Sequence, residues 1–250
     1  MRTHRSWISP IPLLACLSAM VFWRTVHAAE LQQAQYEGTL GPQRIGLILN
    51  MAGERVAPSR YYYVRHLADI PLVGERHGGT FTLHEEGATM TLHFVGNGSE
   101  EGEALNFDNS IGLEGSWSNG KLMLPVKLRG GGLFTASPAG HWYQSITDET
   151  DDVFEARTKG FCAAVVSGNS AQAARFVHFP LRVNQGPGRH EQIRDAAQLA
   201  AQWKRIFTPA YVARIADASP HSMAIVQGNA MLGDGLVFFS DKGAEALNVP

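Results

Sequence analysis

The sequence predicts an α+β protein in two parts. The first is an N-terminal antiparallel β-meander, closed as a small barrel or folded as a sandwich. The second is a unit that mixes helices and strands. Three observations carry this. From Tyr36 to about Leu128, apolar residues recur with a period of two and no helical period interrupts them. Turn residues such as Asn119-Gly120 separate the runs. After about residue 148 the period changes to that of amphipathic helices.

The chain opens with the basic segment Met1-Arg2-Thr3-His4-Arg5. An apolar stretch, Trp7 to Trp23, follows, and then Val26-His27-Ala28 with Ala29 after it. A charged start, an apolar middle and small residues at the end form a secretory signal layout, with cleavage after Ala28. The expected location is periplasmic or secreted. The apolar stretch is interrupted by Pro10 and Pro12 and falls short of the roughly 20 apolar residues of a span. No later segment is long and apolar enough either, so no transmembrane segment is expected after signal removal. Leu13-Leu14-Ala15-Cys16 is a loose lipobox, but lipid anchoring at Cys16 would leave Leu17 to Trp23 as an apolar stub and is not favoured.

Loss of residues 1–28 removes Arg2, Arg5 and Arg24. The 21 basic residues become 18 against 23 acidic ones, a net charge of −5 that argues against a nucleic-acid partner. Cys162 is then the only cysteine, so no internal disulfide can form. Its neighbours in TKGFCAAVV are apolar, which suits a small buried side chain. The roughly 220 residues that remain exceed the commonest domain size. We divide them into a β domain at 30–128, a linker at 129–147 and an α+β domain at 148–250.

Eight strands are expected in the first domain, beginning near Gln35, Gln43, Tyr61, Ile70, Thr80, Thr89, Ile111 and Lys121. In the run at 121–128, Leu122, Leu124, Val126 and Leu128 alternate with Lys121, Met123, Pro125 and Lys127. One face is therefore buried and the other wet. Pro125 cannot donate to a ladder, which places that strand at an edge or at a bulge. In Ser59-Arg60-Tyr61-Tyr62-Tyr63-Val64-Arg65, alternation puts Tyr62 and Val64 toward the core. Tyr61, Tyr63 and Arg65 then form an outward row, a candidate partner surface. The glycine-rich segment 129–140 reads as the linker, and Trp142-Tyr143 beyond it as an aromatic pair able to dock the domains or meet a partner.

The second domain begins with Asp148, Glu149, Asp151 and Asp152, acidic residues suited to a helix N-terminus. Val153, Phe154, Phe161 and Val165 continue that helix. Residues 170–184 run from a short helix into a strand. Ile193, Ala196, Ala197, Ala200, Trp203 and Phe207 form the stripe of a second amphipathic helix, and Pro209 opens another. HSMAIVQG, GLVFFSD and AEALNVP read as closing strands.

This order, with FVHFPLRV, AAQLAAQWKRIF, GNAMLGDGLVFF and LNVP, resembles the NTF2-like (SnoaL-like) α+β cone over about residues 148–250. The resemblance implies a curved sheet with helices closing one side of a pocket. A catalytic member would use one Asp or His there as acid/base, and His178, Asp195 and Asp234 are the candidates. The family hosts enzymes and non-enzymes, so fold alone fixes no reaction.

No motif supplies a catalytic constellation. HExxH, CxxC and a P-loop are absent, and His84 with Glu86 makes only a two-ligand fragment on one strand face. No cofactor or metal is expected. The reading that results is a periplasmic binding or interaction protein, possible roles being an inhibitor or ligand-binding module of the cell envelope. Its partner would be an envelope protein or a small apolar ligand. The alternative is a hydrolase or isomerase using a single acid/base in the C-terminal pocket.

Overall fold

A computed structural model of the protein describes residues 30–96 and 102–250. The expected signal peptide and Cys16 lie outside these residues. The chain is mainly β with a few helices. An eight-stranded closed antiparallel barrel comes first, and a second, mixed sheet with four helices follows.

The barrel strands are β1 (Leu31–Leu40), β2 (Gln43–Ala52), β4 (Ser59–Tyr63), β5 (Asp69–His77), β6 (Thr80–Glu85), β7 (Ala88–Val95), β8 (Gly112–Ser118) and β9 (Met123–Gly130). Two short strands, β3 (Arg55–Val56) and β10 (Phe134–Thr135), flank them on β2 and β1. Each barrel strand pairs with its neighbour along the chain. Closure comes from β1, which pairs with β2 on one side and β9 on the other. A closed sheet has no exposed edge. Gly38 permits closure, because a Cβ there would stand 2.0 Å from the Lys127 carbonyl oxygen across the β1–β9 seam.

Alternation fills the interior with Leu47, Leu49, Leu83, Leu92 and Leu128, all fully buried. At one end, Phe107 from the β7–β8 connection plugs the barrel. Its ring meets Phe94 at 4.9 Å and Phe81 at 5.9 Å, and the Arg76 guanidinium sits 5.5–5.7 Å from all three rings. At the other end, Glu85 accepts hydrogen bonds from the Tyr61 hydroxyl, at 2.9 Å, and from the Trp117 indole N–H.

Two expectations about these strands are corrected. Pro125 marks no sheet edge, because β9 lies between β1 and β8. It sits just beyond the last β1–β9 pair, Leu40 with Val126, and its carbonyl accepts from Gly41 N at 2.8 Å. Its missing N–H therefore faces the place where β1 has already turned away. The faces of β4 are also reversed. Tyr61 and Tyr63 point into the barrel, their rings 5.6 Å apart, while Tyr62 points out of it. Tyr62 is nonetheless fully buried, because the second unit covers it.

The second unit runs α1 (Asp151–Val166), α2 (Ser170–Ala174), β11 (Val177–Asn184), β12 (His190–Ile193), α3 (Ala196–Ile206), α4 (Pro209–Asp217), β13 (Ala224–Val226), β14 (Asn229–Leu232), β15 (Val237–Ser240) and β16 (Gly243–Asn248). The sheet order is β12-β11-β16-β15-β14-β13, antiparallel except for the parallel β11–β16 pair. Phe154, Phe161, Leu199, Ile206, Tyr211 and Phe239 make its core. Cys162 packs against that core as a free thiol, and burial pushes its pKa up to about 12.

Ile193 ends β12 rather than opening a helix. The helix starts only at Ala196, where the Asp195 side chain accepts from Gln198 N and caps it. The closing meander has four strands where three were read. The added one, β14, spans Asn229–Leu232, inside the glycine-bounded segment Gly228 to Gly233 that reads as punctuation.

The two units share a packed junction. Ile48 of β2 points out of the barrel into the core of the second unit. Gly46, on the same strand face, lies beneath Tyr62, and a Cβ there would come within 2.4 Å of the Tyr62 ring.

Candidate functional site

The junction gathers Arg60, Asp69, Glu155, Lys159 and His221 into one network. Helix α1 begins with Asp151 and Asp152 and buries Phe154, Thr158, Phe161 and Val165. Glu155 follows Phe154 on the edge of that stripe and is 3% exposed. The loop between α4 and β13 brings His221 and Ser222 above it. Ser222 has φ 48°, a left-handed conformation that non-glycine residues adopt at a cost. In this conformation the loop directs two successive amides downward: Ser222 N donates to Glu155 Oε1 at 2.9 Å, and Met223 N donates to the Tyr143 hydroxyl at 2.9 Å.

Glu155 is saturated. Oε1 accepts from the Tyr143 hydroxyl at 3.1 Å as well as from Ser222 N. Oε2 accepts from His221 Nδ1 at 2.7 Å and from Lys159 Nζ at 3.3 Å. His221 reaches the barrel with its other nitrogen: Nε2 donates to Asp69 Oδ1 at 3.0 Å. Both ring nitrogens thus face carboxylates, which only accept, so the ring carries both protons.

The barrel answers with four side chains. Arg60 Nε lies 3.1 Å from Asp69 Oδ2, an ion pair in which the N–H is not aimed at the oxygen, and Arg60 Nη2 donates to Ser222 Oγ at 3.3 Å. Tyr62 donates its hydroxyl to the His221 carbonyl at 3.0 Å and sets its ring edge-on to the imidazole at 4.5 Å. Gln35 Nε2 donates to the Ser222 carbonyl at 2.6 Å. Trp142 closes the network: its indole N–H donates to the Met223 carbonyl at 2.7 Å, under the Arg60 guanidinium at 5.4 Å.

The electrostatics follow from this geometry. Burial alone would lower the His221 pKa, but its hydrogen bonds to Asp69 and Glu155, with their charges, outweigh burial and raise it to about 9. Burial alone would raise the two carboxyls. For Glu155, the His221 hydrogen bond and charge, the Ser222 amide and the Lys159 charge hold it below its ordinary value. For Asp69, His221 and Arg60 do the same.

Beside the network lies a cleft of about 700 Å³, walled by both units. That volume is in the range of small-molecule sites, roughly 300–1,000 Å³. Its floor holds buried Gln33, Trp142, Glu155 and Ser222, and its rim holds exposed Leu31, Pro138, Ala139, His141 and Asp152. Gln33 and Asn50 face each other across β1 and β2 at the floor.

The candidate residues read from the sequence fall in separate places. Tyr61 and Tyr63 are inside the barrel and offer no outward row, while Arg65 is exposed in the turn after β4. Trp142 and Tyr143, 4% and 0% exposed, are no open surface and dock the two units together. His178 is half-buried on β11, 3.9 Å from Glu245; Asp195 is exposed as the α3 cap; Asp234 is exposed in the β14–β15 turn. These three do not converge, and none of them lines the cleft. Among the described residues no cluster of metal-ligand side chains occurs, and no helix is long and apolar enough to cross a membrane.

Arg60, Asp69, Glu155 and His221 escaped the sequence reading. The one local signal was Glu155, an acid set beside the apolar stripe of α1. The chain matches no protein-family model, no curated protein and no solved structure.

Proposed function

We propose that the protein is an exported binding module of the cell envelope, without a catalytic step, whose ligand occupies the cleft between the barrel and the mixed sheet. One observation carries this: the histidine at the cleft wall has both nitrogens committed to carboxylates. A general base needs a free nitrogen within reach of the proton it takes. His221 holds the junction together and has no such nitrogen. Export rests on the charged, apolar and small-residue segments of residues 1–28. The charged floor of the cleft favours a polar ligand over the small apolar one expected at first.

The NTF2-like reading of the second unit is supported by its element order: two helices, a hairpin, two helices and a strand meander. The hydrolase or isomerase alternative gains nothing from His178, Asp195 and Asp234, which stand apart from one another.

The test is to incubate the full chain with small molecules extracted from cell envelopes, following Trp142 fluorescence, and to identify what is retained by mass spectrometry. The expected result is a compound recovered chemically unchanged, with retention lost when Gln33→Leu alters the cleft floor. Recovery of a hydrolysed or rearranged product would overturn the binding reading.

A further inference from the structure

We infer that the loop between α4 and β13 is a proton-operated latch on the cleft. It clasps the barrel while the His221 ring holds both of its protons. When the ring loses one, the loop releases Asp69 and lets the cleft widen with both units still folded. The latch is independent of what occupies the cleft.

The grip between the two units is concentrated in one place. Among the described residues, every hydrogen bond and ion pair from the barrel strands to the second unit ends on residues 217–222. Gln35, Arg60 and Tyr62 hold this loop by oxygens of Ser222 and His221. Arg44 holds Asp217 in an exposed ion pair, of a kind worth little in water. His221 and Asp69 form the charged pair that lies in the cleft wall.

The surroundings of the two carboxylates decide which bond breaks. A neutral imidazole donates from one nitrogen and accepts at the other. Glu155 is the closer partner, at 2.7 Å, and its side chain is 4% exposed, so water cannot replace a donor lost there. Asp69 stands at 3.0 Å, and its side chain is 43% exposed. A carboxylate that water reaches loses a donor at less cost than a buried one. The remaining proton therefore stays on Nδ1, facing Glu155, and the bare Nε2 faces Asp69, acceptor against acceptor. Ser222 N still holds the loop to Glu155 in its own unit. The contact that gives way is the one that crosses to the barrel.

The other groups around the ring set the range of pH. Asp69 faces it from β5, Arg60 and Tyr62 from β4, and Glu155 from α1 with Lys159 behind it. Tyr143 bonds to Glu155, Asp151 acts on Glu155, and Glu37 of β1 acts on Tyr62. Carboxylates outnumber cations here, so the ring keeps both protons until pH nears 9. Burial holds the Tyr62 and Tyr143 hydroxyls above their ordinary range, so they stay protonated while the ring titrates. Because the folded value lies above the ordinary one, the clasp is present at lower pH and is lost as pH rises.

The test places spin labels on the full chain at Val73→Cys in β5 and Val153→Cys in α1, both exposed and close in sequence to Asp69 and Glu155. The native Cys162 thiol, its pKa pushed up to about 12, is unreactive. The distance between labels should lengthen reversibly between about pH 7 and pH 10, with a midpoint at about 9 and no change in circular dichroism. Nitrogen-15 spectra of labelled histidine should show both His221 nitrogens protonated at the lower pH and Nδ1 alone at the higher. Asp69→Asn distinguishes a latch from a merely structural contact, because its amide can accept from the charged ring and donate to the neutral one. In that variant the His221 titration should fall by about 1–3 pH units while the distance keeps its neutral-pH value throughout. The latch is overturned by a last proton on Nε2, by a parent distance unchanged across the titration, or by an opening of the same size in Asp69→Asn. Opening that comes only with loss of secondary structure overturns it as well.

Discussion

The inside of the barrel and the junction beside it are held by different forces, the barrel sealed from solvent and the junction open to it at Asp69. The barrel interior is a set of leucines and aromatics in which each side chain was assigned its place by strand alternation, and its charged groups sit at the two ends. The junction is a chain of charges and hydrogen bonds, Arg60, Asp69, His221 and Glu155, closed over aromatic rings. Apolar packing is indifferent to pH and tolerates the loss of one member at a graded cost. A buried charge network fails sharply when one member is removed, because its partners are left unpaired. The difference teaches that the two halves can be perturbed separately.

The sharpest separation should come from Glu155→Leu. It strips His221, Tyr143, Ser222 and Lys159 of one shared acceptor and should cost about 3–5 kcal/mol in urea unfolding at pH 6. Leu83→Ala, wholly inside the barrel, should cost about 2–5 kcal/mol, and the same amount at pH 6 and pH 9.5. Equal pH dependence in the two variants would dissolve the distinction between the regions.

The third expectation concerns pH itself. The folded pKa of His221 is raised to about 9, so its contribution is complete below the ordinary histidine value of about 6.5 and is lost as pH climbs through 9. At about 1.36 kcal/mol per pKa unit the loss is on the order of 3–4 kcal/mol. Asp69 and Glu155 have lowered values, so their contribution is present above the ordinary carboxyl range, about 4, and is lost in acid. Thermal melts should therefore be highest between about pH 4.5 and 6.5, and His221→Gln should flatten the alkaline decline. A decline of the same steepness in that variant would place the titrating group elsewhere.

Smaller effects refine the boundary. Tyr62→Phe removes one hydrogen bond to the His221 carbonyl and should cost about 1 kcal/mol while keeping the ring contact. Met123→Lys, on the 70% exposed outer face of β9, should shift stability by no more than about 0.5 kcal/mol.

The barrel was legible because its signals are local. Period-two alternation and turn residues located eight strand starts close to those observed, from Gln43 at β2 to Thr80 at β6. What alternation could not supply was the direction of β4. Tyr61, Tyr62 and Tyr63 are chemically alike, and Tyr62 is covered by a unit whose contacts lie 159 residues away. The site was illegible for the same reason. Asp69 sits at the start of a strand and His221 in a loop, separated by 152 residues, and neither carries a motif. Even a local element was missed where short glycine-bounded pieces such as Asn229–Leu232 look like loop and become strand only by pairing with neighbours.

The outward face of β2 and β4 has a consequence in time. β1 must wait for β9 to close the barrel, Tyr36 meeting Gly130, yet everything that closure needs precedes α1. A chain synthesised from its N-terminus can therefore hold a finished barrel before Glu155 and His221 exist to cover it. Through that interval Ile48 and Tyr62 form a bare, adhesive patch around the bare backbone of Gly46, open to any neighbouring chain.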